Sequence, residues 1–161
     1  MGEKAEWESR VAAFWESFDD SKPQDMLTGM RALVEERPEG DARALAEWGG
    51  VHDALDLGAQ AVEPYRRALE AGLGLEEQHQ VTLQLASTLR NLGFVDESIG
   101  LLEQLDAPEL GDAPAAFLAL ALHSAGQPNE ALRTALTALA PHLPMYGRAA
   151  SDYAAELAPD V

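Results

Sequence analysis

Gln80-Val-Thr-Leu-Gln-Leu-Ala-Ser-Thr-Leu-Arg-Asn-Leu-Gly-Phe-Val-Asp-Glu-Ser-Ile-Gly-Leu-Leu-Glu-Gln-Leu105 decides the fold. Leu83, Leu85, Leu89 and Leu92 recur at helical spacing, with small Ala86 and Ser87 between them. Gly93 ends this first helix, because a backbone with positive φ is easiest for glycine. Asp96 and Glu97 fall in the first turn of a second helix, where carboxylates favour the positive end of the dipole. Ile99, Leu101, Leu102 and Leu105 supply its apolar face. Two helices this short are marginal alone and need neighbours with matching faces.

Working outward, the same pattern recurs on both sides. Helices are predicted at about 4–18, 23–36, 42–55, 59–72, 77–92, 95–106, 112–125, 128–140 and 145–158, with Pro23 as a first helical residue and Asp41 as an N-cap. Trp7, Val11, Phe14, Trp15 and Phe18 form an aromatic stripe on the first. It has two readings: a cap over helix 23–36, or an apolar patch that pairs two copies into a homodimer. Tyr146 and Tyr153 are expected to cap the other end. Pro64 is the awkward residue, since proline inside a helix costs about 3 kcal/mol. Its helix is expected to begin near Glu63 or to bend there. Alternating apolar and polar runs are absent, so no strand is predicted.

Composition bounds the rest. The 161 residues suit one domain, and 47% hydrophobic residues suffice for a packed core. There are no cysteines, hence no disulfide, thiolate site or cysteine nucleophile. No apolar run reaches membrane-spanning length, and the acidic first residues lack a signal-peptide core. A cytoplasmic home is the expectation. The formal charge of −17 is spread along the chain. Clustered Lys and Arg for nucleic acid or anionic lipid are missing, so neither is an expected partner. The acidity reads either as a solvated surface or as a match for a basic partner.

Three registers superimpose at a spacing close to 34 residues. Leu45, Trp48, Gly49, His52, Ala61, Tyr65 and Ala68 occupy the key positions of the first. Thr82, Leu85, Ala86, Leu89, Ser98, Leu102 and Leu105 occupy those of the second, and Ala115, Leu118, Ala119, Leu122, Ala131, Ala135 and Ala138 those of the third. Small residues at Gly49, Ala86 and Ala119, and at Ala61, Ser98 and Ala131, let paired helices approach closely. The turns Gly93-Phe-Val-Asp-Glu-Ser-Ile99 and Gly126-Gln-Pro-Asn-Glu-Ala-Leu132 align without gaps. Asp56-Leu57-Gly58 departs from them, and a wider turn is expected there.

With these positions, over about residues 24–140, the chain resembles the tetratricopeptide-repeat family. Strings such as Gly49-Gly50-Val51-His52-Asp53, Tyr65-Arg66-Arg67-Ala68-Leu69 and Leu85-Ala86-Ser87-Thr88-Leu89 make it similar to small stand-alone bacterial proteins of that kind. The resemblance implies an all-α, right-handed superhelix of about four hairpins plus a capping helix, in one domain. A degenerate hairpin (1–40) would be followed by repeats at 42–75, 79–111 and 112–145 and a cap at 146–158. It also implies a non-catalytic scaffold that binds a protein or peptide in a concave groove.

By register, that groove takes Arg43 and Asp53 from the first repeat, Ser87, Arg90 and Asn91 from the second, and His123 and Ser124 from the third. Arg90 is the only Lys or Arg between Arg67 and Arg133. It is read either as a buttress paired with Asp53, or, with Asn91 and His123, as a holder of a peptide's carboxylate or backbone. The alternative from another class is a small-ligand or regulatory pocket around Asp53, Arg90, Asn91 and His123. No cofactor or metal is expected: the four histidines are far apart and make no HxxxH spacing. His52 reads as a packing residue. No nucleophile accompanies Asp53 in a triad.

Overall fold

The computed structural model describes residues 2–161. Among them are nine α-helices and no strand: α1 (Glu3–Glu16), α2 (Pro23–Glu35), α3 (Ala42–Ala54), α4 (Gly58–Ala71), α5 (Leu75–Asn91), α6 (Val95–Glu103), α7 (Ala113–Ser124), α8 (Pro128–Leu139) and α9 (Gly147–Ala155). Short 3-10 turns at Pro108–Leu110 and Ala140–His142 follow α6 and α8. The chain divides into two compact units, one ending at Gly74 and the other spanning Leu75–Val161.

In the first unit α3 and α4 form a hairpin, and α2 packs on α3. The aromatic stripe of α1 lies inside this unit. Trp7 and Val11 are buried with Ala44, flanked by Trp15, Leu33 and Val34. The Trp7 indole donates to the Leu33 carbonyl at 2.8 Å. The stripe therefore caps its neighbours and is not an open patch. In the second unit α5 pairs with α6 and α7 with α8, while α7 also packs on α5 and α6. Ala86, Leu102 and Ala121 form its core, walled by Leu83, Ile99, Leu101, Phe117 and Leu118.

Small residues set the spacing within each hairpin. A methyl group on Gly49 would lie 2.5 Å from the ring of Tyr65, a fully buried residue on α4. Ala86 and Ser98 are both buried, and the Ser98 hydroxyl donates to the Ala86 carbonyl at 2.6 Å. Ala119 and Ala131 are buried at the matching places.

The turns are tighter than the first of them promised. Phe94 N–H donates to Leu89 O at 2.9 Å, and Gln127 N–H to Leu122 O at 3.0 Å, each across a glycine of positive φ. Leu57 N–H makes the same bond to His52 O at 2.8 Å, with Asp56 held at φ 58° in the glycine's place. The turn is not wider. A short polar side chain can adopt the left-handed conformation at moderate cost.

α4 covers the expected stretch and does not start late at Glu63, and the capping role expected of Tyr146 and Tyr153 is corrected. α4 begins at Gly58, and Pro64 lies inside it. Ala61, Tyr65 and Ala68 are fully buried along one face, and that burial outweighs one lost backbone bond. Tyr146 and Tyr153 do not cap the last repeat; they are 76% and 68% exposed. Instead Ala154 is the buried residue of α9. Arg133 of α8 bonds the carbonyls of Ala154 and Leu157, and Asp160 accepts the Asn129 and Glu130 amides at the start of α8.

Asp41 caps α3 as expected, accepting the Ala44 amide at 3.0 Å and the Arg37 guanidinium at 2.8 Å. Burial pulls its carboxyl upward, but the amide and the guanidinium outweigh that and hold it below the usual carboxylate range. A folded value below the unfolded one gives stability that is present above the unfolded value and lost as pH falls through the folded one. Asp41→Ala is expected to cost about 1 kcal/mol at neutral pH. The difference from wild type should shrink in urea titrations as the pH drops below the carboxylate range.

Asp56→Gly should raise unfolding free energy by about 0.5–1 kcal/mol, and Gly93→Ala should lower it by about 1–2 kcal/mol. Thermal and urea unfolding check both. Gly49→Ala is expected to destabilise by about 1–3 kcal/mol, since the new methyl overlaps a ring that cannot retreat. Adding Tyr65→Leu should recover part of that loss, whereas additive effects would show that the two residues are not in conflict.

Candidate functional site

Helical register places the expected residues on the first helix of each hairpin, and the two units hold different groups of them. Arg43 and Asp53 lie on α3 in the first unit. Ser87, Arg90 and Asn91 lie on α5, and His123 and Ser124 on α7, in the second.

In the second unit, the packing of α5 against α7 brings three of these side chains together. Arg90 Nη2 donates to Asn91 Oδ1 at 2.8 Å, and Nη1 reaches Ser124 Oγ at 3.4 Å. Ser124 Oγ can accept that bond because its own proton goes to the Leu120 carbonyl at 3.0 Å. The Arg90 Nε is buried and has no hydrogen-bond partner. The guanidinium is thus held in one orientation by neutral oxygens, which engage two of its five donors. Ser87, one turn earlier on α5, is half-buried. His123 is exposed, and among the described residues no hydrogen bond joins it to Arg90. Leu120, one turn before Ser124, is 48% exposed and gives the cluster an apolar neighbour.

In the first unit, α3 carries Arg43, Glu47, Gly50 and Asp53 near one face. Glu47 is buried, and both its oxygens are used. Trp15 Nε1 donates to Oε2 at 2.7 Å, and the Arg43 guanidinium pairs with Oε1 at 2.9 Å. Register alone missed Glu47, because a glutamate between an alanine and a tryptophan reads as surface charge and its indole partner is 32 residues away. Gly50 sits between the two carboxylates; a methyl there would be 3.4 Å from the Trp15 ring and 3.9 Å from the Tyr65 hydroxyl.

That hydroxyl has no partner in hydrogen-bonding geometry, although Tyr65 is fully buried. Asp53 is near enough to act on it. Burial, then the charge and loose contact of Asp53, then the charge of Glu47, push the phenol well above its ordinary value. Tyr65 is therefore neutral at physiological pH. An orphaned buried hydroxyl costs about 1–3 kcal/mol.

Three of the four histidines serve the scaffold. His52 is buried, lies edge-on to Trp48 with centroids 4.4 Å apart, and donates from Nδ1 to the Trp48 carbonyl at 2.7 Å. His79 pairs with Glu109, and His142 with Asp112, each tying a 3-10 turn or its flank to a helix. Neither pairing had a sequence signal, since each spans 30 residues. Among the described residues no group of three potential metal ligands converges, and no helix is long and apolar enough to cross a membrane.

A family model described as Tetratrico peptide repeat matches residues 42–157. No curated protein and no solved structure matches the chain.

Proposed function

The chain belongs to the Tetratrico peptide repeat family, and on that premise we propose that it is a non-catalytic interaction module that holds a peptide segment of a protein partner. The contact surface is the face of α5 and α7 around Arg90, Asn91 and Ser124. One observation supports this reading: in the second unit the exposed Nη groups of Arg90 are oriented by two neutral oxygens, Asn91 Oδ1 on α5 and Ser124 Oγ on α7.

The chemistry follows from that arrangement. Arginine presents a planar fork that matches a carboxylate or a pair of main-chain carbonyls. Asn91 and Ser124 hold the fork in place, so little rotamer entropy remains to be lost on binding. Ser87 and His123 lie on the same helices and supply further polar contacts. Leu120 offers an apolar surface for a side chain flanking the captured group. The charge of −17 acts at longer range and favours a partner whose surface is basic overall. A basic partner with one acidic or C-terminal residue in its docking segment satisfies both demands.

The test is selection of peptides from a random display library on the full chain, followed by calorimetric titration of those selected. Selected peptides should carry a carboxylate next to an apolar residue. Arg90→Ala should weaken them about tenfold or more, the worth of one charge-assisted bond. Its melting temperature should stay within a few degrees of wild type. Loss of stability with binding intact would make Arg90 a structural residue and defeat the reading.

A further inference from the structure

The end of α6 and the linker after it carry an acid at every third position: Glu103, Asp106, Glu109 and Asp112. Two of these are engaged, Glu109 by His79 and Asp112 by His142, each at 2.5 Å. Glu103 and Asp106 have no hydrogen bond or ion pair among the described residues. Glu103 also stands at the unfavourable end of its helix. It is the last residue of α6, where the dipole is negative, and that last turn has no base. The neighbouring elements cannot supply one. Arg90 is the only Lys or Arg between Arg67 and Arg133, and it is held by Asn91 and Ser124.

Both carboxylates line a cavity of about 420 Å³, bounded by the end of α6, the 3-10 turn at Pro108–Leu110 and the start of α7. Leu102, Leu105, Pro108 and Leu118 give it apolar walls. Leu102 is buried and Leu105 and Leu118 are half-buried, whereas Glu103 and Asp106 are exposed. Apolar carbon therefore lies deep, and the two acids stand at the mouth.

We propose that this cavity seats a lysine or arginine side chain of a basic protein partner. The inference rests on the chain being an interaction module but not on the role given to Arg90. The aliphatic stem lies against Leu105, Pro108 and Leu118, and the cationic head meets Glu103 and Asp106. The carbonyl end of α6 adds to the same negative potential. An uncharged occupant would leave both acids uncompensated, and an anion would be repelled by them. A cation relieves the repulsion between the carboxylates and the clash of Glu103 with its own helix end. The charge of the whole chain draws a basic surface in, and the cavity fixes where one of its side chains lodges.

Diffuse attraction between an acidic protein and any basic peptide must be separated from a built site. The probe is an acetylated, amidated hexapeptide of alternating glycine and arginine, labelled for fluorescence anisotropy and titrated into the full chain at physiological salt. Glu103→Gln and Asp106→Asn should each weaken it about fivefold, and together about tenfold or more. Asp96→Asn, the same change of charge at the other end of α6, should stay within about twofold. Ala115→Leu narrows the cavity from α7 without altering charge, and it should weaken the probe about fivefold. Glu103→Gln should melt no lower than wild type, because it removes a charge that the helix end disfavours. In the wild-type chain, amide shifts followed by NMR during the titration should centre on residues 102–118. Arg90→Ala should bind this probe unchanged, and Glu103→Gln should bind the carboxylate-bearing peptides selected above unchanged, so failure here and failure of the Arg90 reading are distinguishable. Equal effects of the three acid variants, an unchanged affinity in Ala115→Leu, or amide shifts centred elsewhere would overturn the proposal.

Discussion

Close approach within each helix pair is the constraint on which everything else depends. Two helices of nine to seventeen residues cannot stand alone in water, and they gain stability only by burying a shared face. How near they come is set by one small residue on each. The three hairpins meet this requirement in different ways. Where α4 presents a tyrosine, α3 has a glycine. Where α6 presents Leu102, α5 has Ala86, and a serine hydroxyl bonds across the contact. In the α7–α8 hairpin the small residues Ala119 and Ala131 are both buried. Volume is traded across the contact, as close packing demands.

That trade also shapes the candidate sites. Glycine at position 49 admits the Tyr65 ring, and the ring carries a hydroxyl towards the Gly50 face of α3. Packing in the first unit thereby delivers a polar group to the surface row that carries Asp53. In the second unit the same row has Ser87 and Arg90, and the neighbouring helix supplies Ser124. One scaffold geometry thus presents carboxylates in one unit and a guanidinium in the other, by changes at equivalent repeat positions.

Much of this was legible from residues alone. Helical periodicity, glycine stops and prolines at first-turn positions locate the helix ends closely, because each is a local steric fact. Pro64 misleads for the same reason: its cost is local, whereas the burial of Ala61, Tyr65 and Ala68 that offsets it is tertiary. Asp56 misleads because its left-handed backbone is enforced by the turn around it and not by its own preference. Repeat register groups Arg90 and Asn91 with His123, whereas the α7 side chain that reaches Arg90 is Ser124. The bond from Trp15 to Glu47 does not follow from register either, since it joins the aromatic stripe to a helix outside the repeat that contains it. Tyr146 and Tyr153 show that aromatic character alone does not tell which face of a terminal helix is covered.

The amides that open α8 are satisfied by Asp160, some thirty residues further along. Gln127, which stands at the cap position itself, provides no side-chain bond. During biosynthesis the first turn of α8 therefore stays unfinished until the segment carrying Asp160 has cleared the ribosome. The α7–α8 hairpin is thus closed by a segment that lies outside it in the chain.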